Sequence, residues 1–490
     1  MEPMNFLLLM DDEHTQKILG CYGHPIVKTP NIDALAASGT RFESAYTNCP
    51  ICVPARASFA TGKYVHEISA WDNAHPYEGK PPSWGHRLQA AGVRTASVGK
   101  LHYRNAEVPV GFDEQIIPLH LPKGGVGDIF SAVRDEKGLP PRNHPEWMAE
   151  QIGPGDSKYI TYDGQVTDLA CEWIARQATE DSERPWALFV SLTCPHFPFI
   201  GPPEFYDLYP LEDIPLPMPH PSGGYDWHPW IAALHECAPY DVFFDDHKRR
   251  VALASYFAMI SFVDSNVGRI LETLEESGFR DNTRVLFASD HGDNLGERGL
   301  WGKSTMYEES VAVPLIVSGP DVPGGKVSRT PVSLIDLYPT ALDCAGLLEG
   351  HEEEPLHGGS LFRIANEPDD PEREIFSEFH ALGAKTGMFM IRRGRYKYIH
   401  YVGHEPELFD LEDDPEERHD ISRSPAHQST LSELETCLLR ILDPELVDKR
   451  AKGEQAALVD RHGGRDAVIA IGNSFASPPP GENEYGEQGG

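Results

Sequence analysis

The chain has 490 residues, enough for a large buried core and, by length alone, for two or three domains. Hydrophobic residues make up 40 % and charged residues 24 %, an ordinary globular balance, but 42 basic against 76 acidic residues leave a formal net charge of −34. A field of that sign argues against nucleic acid and anionic membranes as partners, and any anion site must then be built from a local cluster of positive groups.

Buried parallel strands show as short apolar runs that are bounded by turn residues and alternate with helical patterns. The first run, NFLLLM, leads into Asp11 and Asp12. It is too short for a signal-peptide core, lacks a basic lead and has no small-residue cleavage site. No apolar run approaches the roughly 20 residues of a membrane span, so a cytoplasmic protein without a membrane partner is expected. A helix is predicted over NIDALAASG, capped by Asn31 and stopped at Gly39.

Residues 49–64 read CPICVPARASFATGKY and hold Cys49 and Cys52. Cys52 stands at an apparent helix start, with Arg56 one turn later. A helix N-terminus and a neighbouring arginine both lower a thiol pKa, which favours the nucleophilic thiolate. The C-x-x-C spacing also fits redox chemistry. No second C-x-x-C completes a zinc site, and the scattered remaining cysteines give no disulfide framework.

Further along, SAWDN carries Asn73, and a helix over WGHRLQAAG ends at Gly92. The strand TASVG (Thr95–Gly99) runs into Lys100 and His102. After the helix VTDLACEWIARQATE, the strand WALFVSLT (Trp186–Thr193) runs towards His196. The Pro- and aromatic-rich stretch 197–244 reads as ordered loop, and its Tyr225, Trp227 and Trp230 either line an aryl or trimethylammonium pocket or pack the loop itself. A long helix (247–278) precedes the strand RVLFAS (Arg284–Ser289), which runs into Asp290 and His291. The strand VPLIVSG and the helix SLIDLYPTALDCAG follow.

The alternation predicts an α/β fold: a large, mostly parallel mixed sheet sandwiched by helices. Four strands end in ionisable clusters, and in open α/β sheets ligands bind beyond the carboxyl ends of strands, so the four clusters are expected to converge on one site. Asp11 and Asp12, completed by Asp290 and His291, offer mostly oxygen donors and favour Ca²⁺, Mg²⁺ or Mn²⁺. Taken alone, the aspartate pair reads as a helix-capping turn.

Residues 350–372 read as a linker or long surface loop. MFMIRRGRYKYIHYV predicts a hairpin turning at Arg393–Gly394, and a helix over 430–442 is capped by Ser429. These make a smaller C-terminal α+β domain with an antiparallel sheet. The expected boundaries are 1–365 for the catalytic domain, 373–450 for the small domain and 451–490 for an extension. Residues 467–471 are too apolar to stay in water and are expected to dock on the body or on a second subunit of a homo-oligomer.

CVPARASFATG resembles the signature of the type I, formylglycine-dependent sulfatases of the alkaline phosphatase superfamily, with Ala55 where that family usually has Ser. NFLLLMDDEH, GKLHY, SDHGDNLGERGLWGKSTMYEESVAVPLIV and ELFDLEDDPEE resemble other landmarks of the family, over residues 5–420 with gaps. SAWDN and MIRRGRYKYIH look closer to its choline-sulfatase and phosphonate monoester hydrolase branches. The resemblance implies an alkaline-phosphatase-like fold and hydrolysis of a small sulfate monoester. A maturation enzyme of the formylglycine-generating type would oxidise Cys52 to Cα-formylglycine. Its hydrate would attack sulfur to give a sulfated enzyme, which collapses back to the aldehyde.

By that resemblance, Asp11, Asp12, Asp290, His291 and the modified Cys52 hold one divalent metal, Ca²⁺ first, with Mn²⁺ or Mg²⁺ as alternatives. Arg56 orients the diol, Lys100 and Lys303 bind the transferring sulfuryl oxygens, and His102 removes the diol's second proton. His196 protonates the leaving alcohol, and Asn73 donates to a sulfate oxygen. Three rival readings remain open: a phosphonate monoester or phosphodiester hydrolase using the same site, a non-catalytic binding protein of the same fold, and a redox protein using Cys49 and Cys52.

Overall fold

The computed structural model describes residues 3–122, 126–134, 139–179, 184–219, 226–349, 356–474 and 477–480. Its main sheet has eight strands: β1 (Asn5–Asp12), β2 (Thr40–Phe42), β3 (Arg94–Lys100), β4 (Glu114–Leu119), β5 (Trp186–Pro195), β6 (Thr283–Ser289), β7 (Leu315–Ser318) and β8 (Lys326–Ser328). Their spatial order is β8-β2-β7-β6-β1-β5-β3-β4. β7 is antiparallel to β6 and β2, and the other pairings are parallel. The sheet is therefore mixed and mostly parallel, as expected.

All eight residues of β1 are buried, which explains why its sequence is a continuous apolar run rather than an alternation. The faces still divide by parity. Leu7 and Leu9 enter one core with α4 (Lys158–Thr179) and α5 (Asp246–Glu276). Phe6, Leu8 and Met10 enter the other, against α2 (Cys52–Thr61), α3 (Trp84–Ala90) and α6 (Leu337–Cys344). By length and composition α5 could cross a membrane, contrary to the expectation that no run was long enough. Of its apolar window, 78 % is buried inside the fold, where it serves as the core helix of one face.

Several local expectations are corrected. α1 spans Pro30–Ser38, so Pro30 takes the first helical position and Thr29 is the N-cap. Proline suits that position because its missing N–H would have had no intrahelical partner. Asn31 lies inside the helix and donates its side-chain amide to Asp264 at 2.7 Å. Of the presumed linker, residues 350–355 lie outside the described set, and Leu361–Asn366 form a helix, α7. Leu361, Phe362, Ile364 and Ala365 bury against the sheet, which orders that segment.

The second sheet is antiparallel, with β9 (Ile375–Phe379), β10 (Met388–Arg393), β11 (Tyr396–Tyr401) and β12 (Glu407–Asp410) in that order. Arg393 pairs with Tyr396, so the hairpin turns at Gly394–Arg395, one residue later than expected, with Gly394 at φ +59°. Helix α8 runs from Gln428 to Ile441. A 3₁₀ turn, Pro425–His427, feeds into it, so Ser429 is inside the helix and bonds Glu433 rather than capping. One apolar cluster joins this sheet to the main body: Phe379, Phe389 and Ile391 share it with Ile51, Val65 and Trp71.

The chain returns to the main body through α9 (Pro444–Arg461) and α10 (Arg465–Ile471). Val468 is fully buried against Ala74, Ile129, Ala132 and Val133. Of the apolar stretch 467–471, Val468 docks on its own chain, whereas Ile471 is exposed.

Candidate active site

The order β6-β1-β5-β3 puts four strand ends side by side. Asp11 pairs with Ser289, Asp12 with Pro195, and Gly99 with Ser191. The residues that follow each strand therefore meet on one edge. Gly99 is required there: at φ +99° it brings the chain so close to β5 that a Cβ would lie 2.1 Å from the Ser191 carbonyl oxygen.

Cys52 is the first residue of α2 and faces this edge, with its Sγ 3.0 Å from His291 Nε2, 3.5 Å from Lys303 Nζ and 3.7 Å from Asp12 Oδ1. The expected lowering of its pKa does not occur. Burial, reinforced by the Asp12 charge, pushes the unmodified thiol up to about 12. At neutral pH an unaltered Cys52 is a protonated thiol, unsuited to attack.

Arg56 points past Cys52 to the carboxylates. Its Nε donates to Asp290 Oδ2 at 2.8 Å and its Nη2 to Asp12 Oδ2 at 3.1 Å, while Nη1 reaches the Lys100 carbonyl and Ser191 Oγ. Lys100 Nζ makes a close ion pair with the same Asp12 oxygen. Burial resists the charge on Asp12, but Lys100 and Arg56 outweigh it and hold the carboxyl well below its usual range. Asp11 goes the other way: burial raises its pKa despite the 2.6 Å contact with His14 Nδ1.

The donor set has the make-up of a cation site. Asp12, Cys52, Asp290 and His291 each offer one atom, and these atoms all lie within 4.8 Å of one another. Asp11 Oδ1 is buried without a hydrogen-bond partner among the described residues, leaving one more oxygen to give. Three carboxylates, an imidazole and residue 52 fit a divalent ion. A second group, Asp12, Glu13 and His196, is equally close. There the Lys303 ammonium sits 2.8 Å from Glu13 Oε2 and 2.9 Å from His196 Nε2, so the negative charge already has its cation.

Glu13 was not singled out from sequence, although it directly follows the aspartate pair. Its φ of +69° swings the side chain into the site, and burial pushes its carboxyl up to about 8. His196 donates from Nδ1 to the Phe197 carbonyl at 2.7 Å and accepts from Lys303 at Nε2. Burial, then Lys303, lowers the His196 pKa well below its ordinary value, so the ring is neutral. Lys303 keeps its proton: burial opposes its charge, but the acidic groups beside it, Glu13 and Asp12, raise its pKa.

Cys52, Asn73, Lys100, His102, His196 and Lys303 all line one cavity of about 90 Å³. Asn73 Oδ1 accepts from the Val53 N–H at 3.3 Å, which turns its NH₂ group outward as a donor. The cavity's aromatic walls are Phe197, Tyr240 and Trp301. Of the two readings open for the upstream aromatics, packing holds for Trp230 and Trp227. Trp230 is fully buried among Phe379 and Tyr401 of the second sheet, and Trp227 bonds the Arg298 carbonyl. Tyr225 lies outside the described residues.

Comparison with known proteins agrees with this geometry. The family profile described as Sulfatase matches residues 4–347, and the one described as N-sulphoglucosamine sulphohydrolase, C-terminal, matches 296–443. The chain is 32 % identical over 473 residues to the choline-sulfatase of Rhizobium meliloti (strain 1021), covering 92 % of this chain and 89 % of that protein. It is 30 % identical to arylsulfatase K of Danio rerio, covering 91 % and 85 %. In fold it is similar to the phosphonate monoester hydrolase of Agrobacterium radiobacter, with a TM-score of 0.71 at 24 % identity, covering 89 % of this chain and 95 % of that one. The chain belongs to the sulfatase family, the formylglycine-type sulfuric ester hydrolases of the alkaline phosphatase superfamily.

Proposed function

We propose that the chain hydrolyses small sulfate monoesters, with residue 52 matured from cysteine to formylglycine by a dedicated partner enzyme and one divalent cation, Ca²⁺ first, held by Asp11, Asp12, Asp290 and His291. The observation that carries this reading is the place of residue 52: its side chain is buried 3.0 Å from His291 Nε2 and 3.5 Å from Lys303 Nζ, in one group with the Asp12, Asp290 and His291 donor atoms, where an oxygen nucleophile would meet both a cation and a lysine. The hydrated aldehyde would supply that oxygen, and the cation would lower its pKa and offset its charge.

The chain's own residues then divide the work. Arg56 locks the Asp12 and Asp290 carboxylates in place. Lys100 and Lys303 give the local positive charge that a sulfuryl group needs within a field of −34. The Asn73 NH₂ group provides a neutral donor to the same oxygens. Lys303 Nζ donates to His196 Nε2, so the proton this pair can offer to the leaving oxygen is carried on the lysine, with His196 placed to receive and relay it. His102 is nearly fully buried and neutral, because burial, then Lys100, lowers its pKa well below its ordinary value; it is suited to take a proton from the residue-52 hydroxyl.

Hydrolysis of phosphonate monoesters is the second reading, favoured by the fold similarity to phosphonate monoester hydrolases. Measured kcat/KM on a matched pair, an aryl sulfate and an aryl phosphonate monoester, separates the two. Sulfate turnover that exceeds phosphonate turnover supports the proposal, and the reverse ratio replaces it with the second reading.

A further inference from the structure

The end of the chain reaches the active site. After α10, Asn473 Oδ1 accepts from the Asn143 N–H at 2.7 Å, and the Ser474 N–H donates to Asp128 at 3.3 Å. Ser477 then makes two bonds. Its carbonyl accepts from the Tyr159 hydroxyl at 2.9 Å, and its Oγ lies 2.8 Å from His102 Nε2. Ser474 and Ser477 line the same cavity as Cys52, Lys100 and Lys303.

The approach is anchored on both sides. Val468 is seated in an apolar pocket of the main body. Gln455 of α9 bonds Asp72, and Glu454 accepts from the Trp71 indole, so the same C-terminal region supports the loop carrying Asn73. His102 itself has φ +58°, an unusual conformation for a non-glycine residue and one that the surroundings must enforce. Its other nitrogen, Nδ1, is buried and has no hydrogen-bond partner among the described residues.

An imidazole acts as a base only through a nitrogen that carries a lone pair, and the bond at the opposite nitrogen decides which one that is. A serine hydroxyl accepts or donates as its partner requires. We propose that Ser477 is a positioning residue for His102: its hydroxyl accepts the Nε2 proton and so holds the ring in the tautomer whose Nδ1 bears the lone pair. The inference rests on the role given to His102 under the proposed function. It assigns to the C-terminal segment, 375 residues from His102 in sequence, a part in the reaction.

The test compares Ser477→Ala and Ser477→Thr in the full-length, matured enzyme. Ser477→Ala is expected to lower kcat roughly tenfold with KM nearly unchanged, a part of the roughly 10²–10⁴-fold that a general base supplies. Ser477→Thr, which keeps the hydroxyl, is expected to restore most of it. Ring signals of ¹⁵N-histidine-labelled protein give a readout that needs no turnover. The signals lost in His102→Gln should move in Ser477→Ala and return in Ser477→Thr. Wild-type kcat in Ser477→Ala, a loss that Ser477→Thr does not restore, or unmoved His102 signals would each overturn the proposal. If no ester is turned over by wild-type protein while the ring signals still respond to Ser477, the sulfatase reading fails and the positioning contact stands.

Discussion

Arg56 Nε donates to Asp290 Oδ2 at 2.8 Å, tying the start of α2 to the end of β6. The same guanidinium reaches Asp12 at 3.1 Å at the end of β1. All three side chains are fully buried. The arginine therefore holds the Asp12 and Asp290 carboxylates together across the two strand ends.

Replacing that fork with a point charge should show its role. Arg56→Lys retains the charge but cannot bond both carboxylates in their present geometry. Bound divalent metal, measured by elemental analysis after dialysis, is expected to weaken about 10- to 100-fold in affinity, with a parallel fall in kcat/KM. Metal binding at wild-type strength in Arg56→Lys would remove this role.

Maturation of residue 52 has a direct mass signature. Conversion of cysteine to formylglycine removes one sulfur and two hydrogens and adds one oxygen. The tryptic peptide spanning Cys52 should carry that difference in active protein and lack it in inactive protein. Cys52→Ala should lose turnover almost entirely while remaining folded, since it trims one buried atom.

The Lys303–His196 pair predicts a dependence on the leaving group. A proton given to the departing oxygen matters most when that oxygen is a poor leaving group. His196→Ala is expected to cost about 100-fold on an alkyl sulfate and far less on a nitrophenyl sulfate. Equal losses on the two substrates would place His196 outside the proton transfer.

Away from the site, Glu378 on β9 sits between His66 and His380, with contacts of 2.9 and 3.0 Å. Burial opposes its charge, but the two histidines beside it, His66 above all, hold its pKa at about 2, against 4.5 in an unfolded chain. A carboxyl depressed on folding stabilises fully above the unfolded value and loses that contribution as pH falls towards the folded one. Wild-type protein should therefore lose about 3 kcal/mol from this group between pH 4.5 and about 2. In Glu378→Gln, denaturant unfolding should show lower stability at pH 7 and a flatter profile through that window.

Much of this was legible in one dimension because strand burial and strand ends leave local marks. An apolar run covered on both faces must be continuous, and the polar residues after it must lie at the sheet's carboxyl edge. Asp11, Asp12, Lys100, Asp290 and His291 could be collected that way, and the motif around Cys52 and Arg56 added its chemistry. The caps were less legible: Pro30 and the turn before Gln428 displaced each expected N-cap by two residues, since serine and asparagine serve inside helices as well as at their starts.

What only the tertiary structure decided depends on distance and dielectric. Sequence placed Arg56 beside Cys52, whereas the fold aims it at Asp12 and Asp290. Local rules lower the Cys52 pKa, whereas full burial raises it to about 12. Sequence left Trp230 between pocket wall and loop packing, and the fold packs it against the second sheet, while Ser477 looked like tail and lies on His102. In each case the deciding term is removal from water or contact across hundreds of residues, and neither is encoded in a neighbouring residue.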